Sequence, residues 1–127
     1  MNVEHIAFVV EDPNAVADWY CQNMGMRVVR KGGPPTYMTF LADEDGGTMF
    51  EIYAQDVELP DYGAIDPLIL HFAYYAEDVE GTRDKLVAAS ATVVQEPFET
   101  DAGDTLCMLR DPWGLAVQLV HRKEPMA

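Results

Sequence analysis

The sequence is poor in positive charge and has no long apolar segment. Of its 127 residues only eight are Lys or Arg, against 22 Asp and Glu, which gives a formal net charge of −14. The basic residues are scattered along the chain, and an acidic surface repels phosphates, so we expect no nucleic-acid partner. Apolar runs are interrupted every few positions, so we expect no membrane span and a soluble globular protein.

Cysteine is also scarce, since Cys21 and Cys107 are the only two. They lack the close spacing of a metal site, and in a reducing compartment they would remain thiols packed in the core. The segment 1–5 has no basic region followed by an apolar stretch, so we expect no secretory signal and a cytoplasmic location. The length fits a single domain over residues 1–127, because domains usually hold about 100 to 200 residues.

An internal repeat is present. The segment 5–12, HIAFVVED, returns 66 residues later at 71–78 as HFAYYAED. The segment 47–53, GTMFEIY, is echoed by 114–120, GLAVQLV, at an offset of 67 residues. One inserted loop residue explains the change of offset, so the chain reads as two copies of one module.

Each half shows the same order of predicted elements. In the first half we predict a strand at 3–10, a helix capped by Asp12 and opened by Pro13, and a helix end near Gly25. Strands at 27–30, 37–41 and 48–53 follow. In the second half we predict strands at 68–76, 92–96, 105–110 and 115–121, with a helix at 79–89. The fold class is therefore α+β, with βαβββ modules over about 1–54 and 68–122 and a linker over about 55–67.

Four polar positions stand in repeat register on the predicted strands. Glu51 lies in the apolar run MFEIY, where a buried carboxylate needs a hydrogen bond, a counter-charge or a bound cation. His5 and Glu51 in the first half match His71 and Gln118 in the second, and we expect all four to converge near a pseudo-twofold axis. They are competent ligands for Zn, Ni, Co, Mn or Fe(II). The alternative is a polar cavity lining in which Glu51 hydrogen-bonds a histidine.

These segments resemble the vicinal oxygen chelate superfamily of glyoxalases, bleomycin-resistance proteins and dioxygenases. The resemblance lies in segment 5–12, in its repeat at His71, and in segment 110–119, RDPWGLAVQL, which is similar to the family ending Asp-Pro-x-Gly-Asn-x-x-Glu-Leu. It implies a glyoxalase-like partial barrel around a divalent metal, a small-molecule substrate and a homodimer. Carried over position by position, the metal ligands are His5, Glu51, His71 and Gln118.

Gln118 departs from the glyoxalase pattern, which has a Glu there. The resemblance assigns that carboxylate the removal of a substrate proton, which an amide cannot accept, so Glu51 is left as the candidate base. A metal-dependent lyase or isomerase acting on a small oxygen-chelating substrate is the leading function. No basic cluster suited to glutathione's two carboxylates is visible.

Two other functions remain open at this point. A non-catalytic drug-binding protein of the bleomycin-resistance type would use aromatic side chains to line its cup. The candidates for that lining are Tyr37, Tyr53, Tyr75 and Trp113. An Fe(II) extradiol-type dioxygenase would use His5, His71 and Glu51 as its iron ligands.

Overall fold

The computed structural model describes all 127 residues, which form two compact units, Met1–Pro60 and Asp61–Ala127. The elements of the first unit are β1 (His5–Val9), α1 (Pro13–Asn23), β2 (Arg27–Lys31), β3 (Thr39–Ala42) and β4 (Met49–Tyr53). Those of the second are a 3-10 turn (Tyr62–Ala64), β5 (Phe72–Tyr75), α2 (Val79–Ala88), β6 (Thr92–Glu99), β7 (Thr105–Arg110) and β8 (Ala116–His121). Both units are βαβββ modules, so the predicted α+β fold is confirmed. That the two units make a single domain stays a prediction.

The two units share one sheet topology. The strand order is β1-β4-β3-β2 in the first unit and β5-β8-β7-β6 in the second. The first and last strands of each module pair in parallel, and the remaining pairs are antiparallel. The opening strand, which carries or directly follows the histidine, therefore lies beside the closing strand, which carries the Glu or Gln.

Helix α1 begins where the sequence predicts. The Asp12 side chain accepts a hydrogen bond from the Ala15 N–H at 3.1 Å, and Pro13 occupies the first turn, where it needs no donor. Val16 and Tyr20 are fully buried by the packing of this helix. Asp78 caps α2 in the same way. Neither helix has the length and apolar character needed to cross a membrane.

The third predicted strand begins two residues too early. Tyr37 has a φ of 48°, in the left-handed region, and its N–H donates to the Gly33 carbonyl at 3.1 Å. A residue in that conformation cannot be part of an extended strand. The turn at 34–36 contains both prolines, residues 37 and 38 are irregular, and the strand therefore begins at Thr39.

The strand predicted from residue 68 is wrong at its start. The Asp66 side chain accepts from the Leu68 N–H at 2.9 Å, and the Asp66 carbonyl accepts from the Ile69 N–H at 2.8 Å. This turn chemistry overrides the apolar run, so 68–70 is a turn and Leu68 and Ile69 are 86% and 78% exposed. His71 consequently stands directly before β5 rather than within it.

Candidate functional site

In the first unit the sheet brings His5 and Glu51 together. β1 and β4 pair in parallel with His5 opposite Met49 and Ala7 opposite Glu51, so both side chains project from the same face. His5 Nε2 lies 3.1 Å from Glu51 Oε2. The two side chains are 37% and 23% exposed, so each remains reachable by an ion or a small molecule.

A second carboxylate holds the other nitrogen of the same imidazole. His5 Nδ1 contacts Glu4 Oε2. The hydrogen bond that the imidazole donates to Glu4 is the main cause that raises the pKa of His5; partial desolvation opposes it, and the charges of Glu4 and Glu51 add to it. Glu4 was not among the predicted site residues, because a lone acidic residue before a strand carries no spacing signal.

In the second unit the backbone fixes the orientation of His71. His71 Nδ1 lies 2.7 Å from the Pro67 carbonyl oxygen. A carbonyl only accepts hydrogen bonds, so Nδ1 carries the proton and the lone pair of Nε2 is left for a ligand. Gln118 pairs with Ala73, two residues after His71, and both His71 and Gln118 are half-buried.

The donor set of these residues fits a divalent metal ion. Each histidine has its Nδ1 held by an oxygen acceptor, which is the arrangement that orients metal-ligating histidines through Nε2. The structure groups no three His, Cys, Asp or Glu side chains in a metal-binding cluster. That the pair His5 and Glu51 joins the pair His71 and Gln118 on one ion stays a prediction.

A β-bulge in β2 places two arginines on the face of the His5–Glu51 pair. Arg27 is opposite Ala42 and Arg30 is opposite Phe40, with one extra residue accommodated between Val28 and Arg30. In a regular strand, positions 27 and 30 would point to opposite faces. The bulge brings both to the face of Phe40, whose ring stacks edge-on against His5 at 5.4 Å between centroids. Sequence periodicity gave no sign of this.

The bulge recurs in β6, so corresponding residues can be compared across the two sheets. Across the first sheet, the residues in register are Ala7, Glu51, Phe40 and Arg30, which we name the charged row. Across the second they are Ala73, Gln118, Met108 and Gln95, which we name the neutral row. The carboxylate and the guanidinium of the charged row are both replaced by amides in the neutral row.

The aromatic residues proposed for a drug-binding cup have different environments. Tyr75 is 61% exposed, on the strand face of Ala73, and its hydroxyl donates to Glu77 at 2.9 Å. The Tyr75 ring also contacts His121, the third histidine of the chain. Tyr53 and Trp113 are half-buried.

Comparison with known proteins agrees with this architecture. Residues 2–119 match the family model described as the Glyoxalase/Bleomycin resistance protein/Dioxygenase superfamily. The chain belongs to this superfamily.

Three individual proteins resemble this chain at 15 to 29% sequence identity. A probable lactoylglutathione lyase of Vibrio cholerae serotype O1 is 29% identical, over 97% of this chain and 92% of the relative. A lactoylglutathione lyase of Haemophilus influenzae is 26% identical, over 97% and 94%. A crystal structure of a glyoxalase family protein from Bacillus cereus shares the fold with a TM-score of 0.80 at 15% identity, covering 94% of this chain and 93% of that one.

Proposed function

We propose that this protein is a metal-dependent lyase or isomerase that moves a proton on a small substrate with adjacent oxygen atoms. The observation that carries the proposal is the 3.1 Å contact between His5 Nε2 and Glu51 Oε2, on a sheet face that solvent reaches. A histidine nitrogen and a carboxylate oxygen at this separation can share a cation. The family match and the lyase names of two relatives support a reaction of this class.

The proposed ligands are His5, Glu51, His71 and Gln118, whose donor atoms suit Zn, Ni, Co, Mn or Fe(II). The ion would supply Lewis acidity at the substrate oxygens. Glu4 and the Pro67 carbonyl contact the Nδ1 atoms of the two imidazoles, so the Nε2 atoms are the nitrogens that would bind the ion. Glu51 takes the proton from the carbon next to the substrate carbonyl and returns it to the former carbonyl carbon, while the proton of the adjacent hydroxyl passes to the former carbonyl oxygen, so atoms and charge balance over the cycle.

Metal content tests the ligand assignment. We expect about one divalent ion per chain in protein purified without a histidine tag, and loss of most of it in His5→Ala and Glu51→Ala. Elemental mass spectrometry gives both the stoichiometry and the identity of the ion. His121→Ala is the matched control, because it removes the one histidine that is not a proposed ligand. Equal metal content in all four proteins, or none after incubation with each of the five ions, contradicts the proposal.

Activity assays distinguish isomerisation from oxygen-dependent ring cleavage. The relatives named as lactoylglutathione lyases make the hemithioacetal of methylglyoxal and glutathione the first substrate to test. An extradiol-type dioxygenase would instead consume oxygen in the presence of a catechol and Fe(II). If oxygen is consumed, and if the consumption depends on His5, His71 and Glu51, the function is ring cleavage by a dioxygenase and not isomerisation.

A non-catalytic binding protein is the second candidate, and the exposure of Tyr75 favours it. A large aromatic side chain that is 61% exposed on the Ala73 face is available for stacking on a planar ligand. Fluorescence titration with aromatic cationic drugs tests this function. Tight binding that is lost in Tyr75→Ala and unaffected by metal chelators would support it over the enzyme.

We also propose that the protein acts as a homodimer. In the second unit β5 is an edge strand, and the turn before it exposes Leu68 and Ile69 almost completely. Exposed apolar groups beside an unpaired edge are typical of an association surface. We expect Leu68→Glu/Ile69→Glu to shift the sedimentation coefficient from dimer to monomer, while Val57→Glu, at another exposed apolar position, leaves it unchanged. A wild-type monomer at micromolar concentration would contradict this.

A further inference from the structure

We propose that Arg30 is a specificity-determining residue that binds a carboxylate of the substrate. The substrate would then be a small acid that chelates the metal through adjacent oxygens and carries a separate anionic group. This inference rests on the proposed function, because it concerns the same face of the first sheet.

Arg30 lies on the same sheet face as Glu51, two strands away. Arg30 and Glu51 are both opposite Phe40, on its two sides, in the charged row. Two interstrand spacings of about 4.8 Å each put their backbones about 10 Å apart, which a small substrate with two polar ends can span. The edge-on contact of Phe40 with His5 leaves an apolar floor between the two charges.

Arg30 has no ion-pair partner within the chain, unlike the arginines of the second unit. The three arginines of the second unit are occupied by internal partners: Arg83 by Asp84 and Glu96, Arg122 by Asp104, and Arg110 by backbone carbonyls. Arg30 is exposed and takes part in none of the ion pairs of the chain. Arg27, on the same face, lies against the turn at Gly46. Arg30 is therefore the cation with all its donors open on this face.

The fold does not require a cation at the position of Arg30. Gln95 occupies the equivalent place in the second sheet, after the same bulge and opposite Met108. The same local backbone therefore accepts a Gln side chain as well as an Arg side chain. No acidic residue of the structure pairs with the charge of Arg30. Its forked, planar donors are suited to binding a carboxylate of the substrate.

The net charge of −14 does not conflict with an anionic substrate. At physiological ionic strength the Debye length is about 8 Å, so acidic residues elsewhere on the surface are largely screened. A guanidinium in contact with the carboxylate acts within that length. The overall charge slows the encounter, while Arg30 decides which molecule is retained.

Paired chelators test the inference on the full chain loaded with Ni²⁺. Acetohydroxamic acid is the neutral probe, and the monohydroxamates of succinic and glutaric acid are the probes with a carboxylate at a short and a slightly longer separation. We expect wild type to bind at least one acidic probe about tenfold or more tightly than the neutral one in calorimetry. Arg30→Gln should remove the preference, and Arg30→Lys should retain part of it.

Lys31→Gln is the matched control, since Lys31 is the adjacent cation but is opposite Thr39, on the other face. It should keep the full preference, and none of the variants should change the nickel content. Equal affinities of wild type for neutral and acidic probes, or a preference that survives in Arg30→Gln, overturns the inference alone. Failure of wild type to bind nickel or any hydroxamate overturns the proposed function and this inference with it.

Discussion

Replacing Glu51 by Gln is expected to lower kcat by about 10²- to 10⁴-fold, the range that a positioned general base contributes. An amide cannot accept the substrate proton, but it has almost the size and shape of the carboxylate. Gln118, at the matching position of the second sheet, shows that this fold accommodates a Gln there. The variant should therefore fold normally, which circular dichroism and thermal melting will verify.

The measurement is steady-state kinetics at saturating metal, beginning with the hemithioacetal substrate. Glu58→Gln, a change of an exposed acidic residue, should leave kcat unaltered. The double variant Glu51→Gln/Gln118→Glu moves the carboxylate to the matching position of the second module, and we expect it to recover part of the activity. Full activity in Glu51→Gln at saturating metal would show that another group takes the proton.

Gly114→Ala is expected to have the largest effect on stability, at about 3 kcal/mol or more. Gly114 has a φ of +95°, which L side chains rarely adopt, and an added Cβ would lie 2.6 Å from Gly63 N and 2.8 Å from Gly63 Cα. Those atoms belong to the backbone, so no side chain can turn away to make room. The turn before β8 would have to separate from the segment around Gly63.

Urea unfolding measures this change through the midpoint and slope of the transition. Gly47→Ala is the matched control, because nothing lies within 4 Å of its added Cβ, and it should change the free energy of unfolding by no more than about 0.5 kcal/mol. If both variants unfold at the wild-type midpoint, the close approach at Gly63 does not contribute to stability.

In segment 110–119, which resembles the family ending, Arg110 and Asp111 have structural roles that the sequence alone does not reveal. The Arg110 guanidinium donates to the carbonyls of Tyr62, Gly114 and Ile65 at 3.1, 2.9 and 2.9 Å. Asp111 accepts from the N–H groups of Trp113 and Leu115, both at 2.9 Å. The segment therefore holds the 3-10 turn by hydrogen bonds and fixes the turn before β8, the strand that carries Gln118.

The placement of His5 and Glu51 on one face of the first sheet is what the sequence indicated most directly. A strand period of two puts His5 with Ala7 and Glu51 with Met49, and the parallel register of β1 and β4 makes these two faces the same. The predicted helix start at Asp12 and Pro13 followed from local capping chemistry in the same way. Both rest on short-range rules that act within a strand or a helix turn.

The features that the sequence did not predict depend on backbone detail. The bulge that turns Arg30 toward Phe40 changes the side-chain period by one residue without a marker in the sequence. The late start of the strand predicted from residue 68 came from an Asp66 turn acting on apolar residues that periodicity assigned to a strand. The hydrogen bond from His71 to the Pro67 carbonyl exists only because of that turn.

The bulges in β2 and β6 also decide how the two halves of the sequence align. They occur at matching places, opposite Leu41 in one sheet and Leu109 in the other. Because both strands carry the extra residue, β2 aligns with β6 without a gap, and Arg30 is equivalent to Gln95. Glu51 and Gln118 are equivalent in the neighbouring strands, so the two modules differ in charge at matching positions of one backbone arrangement.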